Sequence, residues 1–211
     1  MKKPESQPTI VYIDGENLLH RAEEVLSARR LITHKTDITH LDISWLMRQV
    51  LPEYDQLLIR YYGTKLKLSG IVDQQLKEKA ERMVESQRRL KRDLTKQGID
   101  FITSGNLKLR DGQTCRKCGH QEPVFQEKGV DVKLAVDMMQ DEPLRLKAVL
   151  VSSDSDLLPA LRALVSKGSE TTYVAYEASV NRALVAMTSG LRTYTSRQLV
   201  DAFERGSHNG N

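Results

Sequence analysis

TIVYIDGEN, residues Thr9 to Asn17, is the stretch on which the fold turns. An apolar, β-branched run from Thr9 to Asp14 stopped by Gly15 predicts a buried strand that ends in a turn. A helix is expected from about Asn17 to Arg30, with Leu18, Leu19, Ala22, Val25 and Leu26 on one face. Working outward, the same order of strand and helix returns. QLLIRYYG (Gln56 to Gly63) precedes a long charged helix (Val72 to Gln97), and IDFITS (Ile99 to Ser104) is a third strand. LKAVLVSS (Leu146 to Ser153) precedes a helix over Asp156 to Lys167, and TTYVAY (Thr171 to Tyr176) precedes a helical turn or two over Asn181 to Met187. LRTYTS supplies a last short strand and Gln198 to Phe203 a last helix. Between the first two strands lie a loop (Thr33 to His40) and a helix (Leu41 to Leu51) that carries Trp45 into the core and stops at Pro52. Helical spacing also runs from Val130 to Gln140. Alternating buried strands and amphipathic helices specify an α/β domain with a mostly parallel sheet covered on both faces.

The 211 residues, 39 % of them hydrophobic, suffice for one substantial core and do not demand two. One domain over residues 9–205 is expected, with disordered ends at 1–8 and 206–211. Residues 105–125 break the pattern and read as an insertion or a small ribbon carrying both cysteines. No apolar stretch approaches the length that spans a bilayer, so no membrane is expected, and the two cysteines make no disulfide framework. A reducing, cytoplasmic setting fits these features. The formal charge of +4 names no partner by itself. Basic residues are concentrated between Lys77 and Lys96.

Four aspartates stand where a parallel sheet places its ligands, beyond the carboxyl ends of the strands. Asp14 ends the first strand, while Asp154 and Asp156 follow the strand that ends near Ser153. Asp131 joins them if the helix after Gly129 starts on the same edge. Aspartates at such positions also cap helices, so each one taken singly has a structural explanation. Together they would repel one another and raise one another's pKa values unless a cation sat between them. Oxygen ligands of this kind suit Mg²⁺ or Mn²⁺, and such a site supports phosphodiester hydrolysis. No Ser/His/Asp or Cys/His arrangement competes with it.

Three segments carry a family resemblance: VYIDGENLL (Val11 to Leu19), EKGVDVKLAVDMM (Glu127 to Met139) and VSSDSDLLPALRALVSKG (Val151 to Gly168). Their order and spacing resemble the signature segments of the NYN family, relatives of the PIN nucleases. The resemblance implies a PIN-like, Rossmannoid three-layer fold, a divalent metal site and endonucleolytic cleavage of RNA. It also implies roles: Asp14, Asp131, Asp154 and Asp156 as metal ligands, and Asn17 as a polar group that orients water or phosphate. Two features depart from the family pattern. Ser153, Asp154, Ser155, Asp156 and Leu157 stand where Gly-Asp-x-Asp-Phe is common, and no further acidic ligand is evident in the first half, where Glu16 and Asp42 are guesses. Asp137 lies about 120° off the Asp131 face of its helix and reads as structural.

Arg88, Arg92 and Lys96 form an i, i+4, i+8 stripe that could grip an RNA backbone, with Lys65 and Lys67 adding positive charge. The same stripe also reads as a solvated face with internal ion pairs. Cys115, Cys118 and His120 resemble half of a zinc knuckle, which would need a fourth ligand or a second subunit and thereby a homodimer. An inert thiol pair is the alternative. A metal-dependent RNA endonuclease is the leading expectation, and a non-catalytic RNA-binding module on the same fold is its rival. A small-phosphoester phosphatase ranks last, because the first strand lacks Asp-x-Asp.

Overall fold

A computed structural model describes residues 8–65, 73–106, 108–114, 117–119, 121–126, 129–142 and 147–209. The elements, in chain order, are β1 (Thr9–Asp14), α1 (Gly15–Ala28), a 3-10 turn (Lys35–His40), α2 (Ile43–Val50), β2 (Leu57–Lys65), α3 (Gln74–Lys96) and β3 (Asp100–Asn106). They continue with β4 (Lys108–Thr114), β5 (Gln121–Gln126), α4 (Val130–Asp141), β6 (Lys147–Val151), a 3-10 turn (Ser155–Leu157), α5 (Leu158–Ser166), β7 (Thr171–Tyr176), α6 (Arg182–Met187), β8 (Gly190–Tyr194) and α7 (Ser196–Asn209).

Six strands form one parallel sheet in the order β3-β2-β1-β6-β7-β8. The chain therefore builds outward from β1 to β3, returns to lay β6 beside β1, and builds outward again. That reversal makes the carboxyl ends of β1 and β6 the switch point of the sheet. Strand alternation sends successive β1 side chains to opposite faces. Val11 and Ile13 enter a core formed with Leu18, Leu26, Leu46 and Leu199, whereas Ile10 and Tyr12 enter a second core with Leu134, Met138, Leu161 and Leu184. Helices α1, α2 and α7 thus cover one face and α4, α5 and α6 the other, as the three-layer reading required.

Gly15 allows the strand-to-helix turn for a steric reason: a Cβ there would overlap the Tyr61 ring. β4 and β5 pair as an antiparallel ribbon, with Cys118 exposed in the turn between them. Cys115 and His120 lie outside the described residues, as does Lys67. Among the described residues no helix is long and apolar enough to cross a membrane.

One boundary is corrected. The last helix does not stop at Phe203 before a disordered tail; α7 runs on to Asn209. Leu199 and Ala202 are buried in the core, and the Ser207 hydroxyl lies 2.9 Å from Nε2 of His40. Arg205 sits 5.1 Å from the centre of the Trp45 ring. Gly206 is buried so closely that a Cβ would overlap the His40 carbonyl oxygen. Tertiary packing thus keeps helical a polar segment that local composition assigned to a tail.

Candidate active site

Asp14 is 6 % exposed and closes β1. One carboxylate oxygen accepts from the Asn17 backbone N–H at 3.1 Å, capping α1, and the other accepts from the Ser152 hydroxyl at 2.8 Å. The capping and site roles are therefore compatible in one side chain. The Ser152 hydroxyl also accepts the Asp154 N–H at 3.0 Å, linking the ends of β1 and β6. Asp154 in turn accepts the Asp156 N–H at 2.8 Å and opens the 3-10 turn before α5. Asp131 lies in the first turn of α4, which begins after Gly129 in the left-handed conformation (φ 92°). The Gly129 carbonyl accepts from the Ser104 hydroxyl at 3.1 Å, which ties this helix start to the end of β3.

Asp14, Asp131 and Asp154 line one cleft of about 320 Å³ with Glu16, Asn17, His20 and Gly129. Burial holds the Asp14 carboxyl above its ordinary value despite the two hydrogen bonds that lower it, and Asp131 and Asp154 raise it further. Burial likewise raises Asp131, with Asp154 and Asp156 adding to the shift. None of these four aspartates takes part in an ion pair among the described residues. Mutual repulsion is left in place where a cation would relieve it. Asp156 stands apart from the other three: it faces Asp131 from the mouth of a neighbouring groove and does not line the cleft.

Among the described residues no three His, Cys, Asp or Glu side chains are gathered closely enough to enclose a metal ion. The donor set still fits a hard divalent cation, since Mg²⁺ is commonly held through one or two carboxylates with water and substrate oxygens completing its shell. The amino ends of α1 and α4 lie at this edge; Asp14 caps the Asn17 N–H of α1, whereas α4 has no side-chain cap, so its first N–H groups favour an approaching phosphate.

Asn17 lines the cleft, but its side-chain oxygen is engaged. It accepts from the Ser153 N–H and hydroxyl, both at 3.2 Å, and so clamps the loop that carries Asp154. Asn181 holds the same loop, donating to the Ser153 carbonyl at 3.0 Å. Of the two guessed acidic residues, Glu16 reaches the cleft and pairs with Lys35. Asp42 caps α2 through the Trp45 N–H at 2.9 Å and lies in a separate cleft with His40 and Lys96. Sequence reasoning missed His20, Ser152 and Asn181. His20 follows Glu16 by four residues and hence shares its helix face, a signal that was available; Asn181 was legible only as a helix cap.

Asp137 is 7 % exposed, accepts from the Tyr62 hydroxyl at 3.0 Å and pairs with Lys133, in keeping with a structural role. Arg88, Arg92 and Lys96 are exposed on α3. The Gln87 amide donates to the Thr64 carbonyl near the carboxyl end of β2, while α3 ends just before β3 begins. The stripe therefore starts near the carboxylate edge and descends away from it, by about 6 Å per step of four residues. Asp93 lies 3.8 Å from both Arg92 and Lys96. Lys65 is the last residue of β2.

The NYN domain family model matches residues 8–194. A crystal structure of a protein of unknown function from Vibrio parahaemolyticus is similar in fold, with a TM-score of 0.57 at 14 % identity, covering 92 % of this chain and 96 % of that one. Among curated proteins nothing matches.

Proposed function

On the premise that this chain belongs to the NYN domain family, whose fold is PIN-like and nuclease-related, we propose that it is an endoribonuclease dependent on Mg²⁺ or Mn²⁺. The observation that carries this reading is the meeting of Asp14, Asp131 and Asp154 in one open cleft at the switch point, none of the three in an ion pair among the described residues. A scaffold that only bound RNA would gain nothing from a self-repelling cluster, and phosphate approaching it would be repelled as well. Asp14, Asp131 and Asp154 would hold the cation, with Asp156 as an outer partner. When bound, it supplies Lewis acidity toward phosphoryl oxygens and lowers the pKa of water.

The chain's own groups position the reaction. Ser152 and Asn17 fix the loop of Asp154, and the uncapped amino end of α4 orients the phosphodiester. Arg88 holds the strand near the cleft, with Arg92 and Lys96 following its path down α3. The scarcity of aromatic residues, 5 % of the chain, favours backbone contacts over extensive base stacking. The test is cleavage of a labelled RNA with Mg²⁺ or Mn²⁺, compared with EDTA and with Asp154→Asn. Cleavage lost under both conditions is the expected result. RNA bound equally well by both proteins without any cleavage would instead establish the non-catalytic binding module.

A further inference from the structure

A second cavity opens beside the acidic cleft. Its volume is about 520 Å³, and it runs between α4 and α5. Val132, Ala135, Val136 and Met139 line it from α4, Ala160 lines it from α5, and Gln140 marks its far end. Its mouth is formed by Asp131 and Asp156, so one carboxylate, Asp131, borders both the cleft and the groove. Val132 is 66 % exposed and Val136 43 % exposed, one turn apart on the face of α4 turned away from its buried residues Val130, Leu134 and Met138. The sheet-side packing of α4 is complete without them: Leu134 and Met138 fill the core, and Asp137 and Asp141 bond to tyrosines of β2 and β1. Ala135 and Met139 pack partly against that core, so the apolar surface without a packing role is that of Val132 and Val136.

We propose that this groove is a nucleoside subsite, taking the base next to the scissile phosphate of the RNA. The inference rests on the nuclease reading above and extends it from the metal to the substrate. Three features select this occupant. The groove begins at a carboxylate of the cleft, so a phosphate seated there delivers its adjoining nucleoside directly to the groove. Its walls are aliphatic, suited to the flat apolar face of a base, and the Gln140 amide at the end can both donate to and accept from a base edge. Its size lies within the range of small-ligand sites and is open enough for a single strand to enter sideways. Carbon walls with one amide give contact to any base and discriminate weakly among them.

The experiment compares the full-length wild type with Val136→Glu, Val136→Lys and Asp131→Asn. The substrates are an RNA oligonucleotide with one strong cleavage position and a set of the same RNA carrying a single abasic site at successive positions. KM and kcat are measured with Mn²⁺, and oligomeric state by sedimentation. Val136 is exposed, so both substitutions leave the fold intact, which a thermal melt verifies. The expected result is a KM raised about tenfold by both Val136 variants with kcat within about twofold. One abasic position should weaken wild-type cleavage by a similar factor and leave the variants unaffected. Because Glu and Lys carry opposite charge, a common loss reports the apolar contact and not repulsion of the strand. Unchanged KM in both variants, or opposite shifts for Glu and Lys, overturns the subsite. A change in sedimentation with KM unchanged overturns it in favour of an interface with a second protein chain. If Asp131→Asn abolishes cleavage while the Val136 variants behave as wild type, only the subsite fails. If the wild type does not cleave, or Asp131→Asn cleaves normally, the nuclease reading fails and the subsite with it.

Discussion

Helix α4 carries three aspartates in two opposite electrostatic situations. Asp137 and Asp141, one turn apart, face the sheet. The first pairs with Lys133 and accepts from Tyr62; the second pairs with Arg60 and accepts from Tyr12 at 2.7 Å. Asp131, at the amino end, has carboxylates for charged neighbours and a pKa raised by burial and by them. The same residue type is thus a fastener in one region and a strained, unneutralised group in the other. A charge paired with a cation and a hydroxyl serves the fold, whereas a charge left among like charges has a purpose only when something else arrives to neutralise it.

The largest effect that could break this contrast is on activity. Asp131→Asn is expected to lower kcat/KM for RNA cleavage by about 100-fold or more, a loss of about 2.7 kcal/mol of transition-state stabilisation. Asp137→Asn, six residues along, should stay within about threefold of wild type; comparable losses in the two would erase the distinction. Stability should respond in the reverse order. Arg60→Met leaves the partly buried Asp141 without its cation and is expected to cost about 1–2 kcal/mol in urea unfolding, discounted from the fully buried case because both side chains retain solvent contact. A neutral result would mean that the Tyr12 hydrogen bond suffices.

Mn²⁺ gives a sharper comparison. At concentrations well above its Kd it should raise the wild-type melting temperature by several degrees, and Asp131→Asn should lose most of that gain. An equal gain in both proteins would place the cation elsewhere. The smallest effect is the most diagnostic. In metal-free buffer at pH 7, Asp131→Asn should melt about 1–3 °C higher than wild type, since it removes a repelled charge. Because the folded pKa of Asp131 is raised, the folded state binds the proton more tightly than the unfolded chain. The cost is therefore full above the folded pKa and disappears below the unfolded one. The advantage of Asn should accordingly shrink as the pH is lowered from 7 through the acidic range, and an advantage that grows would contradict the direction assigned to Asp131.

Much of the site was legible because strand ends and helix starts are local features. Asp14 follows a β-branched run, Asp154 follows another, and both are placed at one edge by the parallel topology. The different standing of Asp156 was not legible: two residues beyond Asp154, the 3-10 turn carries it past the cleft to the mouth of the groove. The length of α7 was equally hidden, since GSHN has the composition of a tail and becomes helix through contacts with His40, a residue far away in sequence.

By itself, then, the order of residues determined the alternation of strands and helices, the buried character of β1 and the presence of carboxylates at strand ends. All of these follow from periodicity and local turn chemistry, whose range is a few residues. Only the tertiary structure decided which charges are paired. Lys133 neutralises Asp137 and Arg60 neutralises Asp141, each aspartate also accepting a tyrosine hydroxyl, and Asp131 is left facing Asp154, because the energy of a charge is set by what lies within a few ångströms in space, irrespective of separation along the chain.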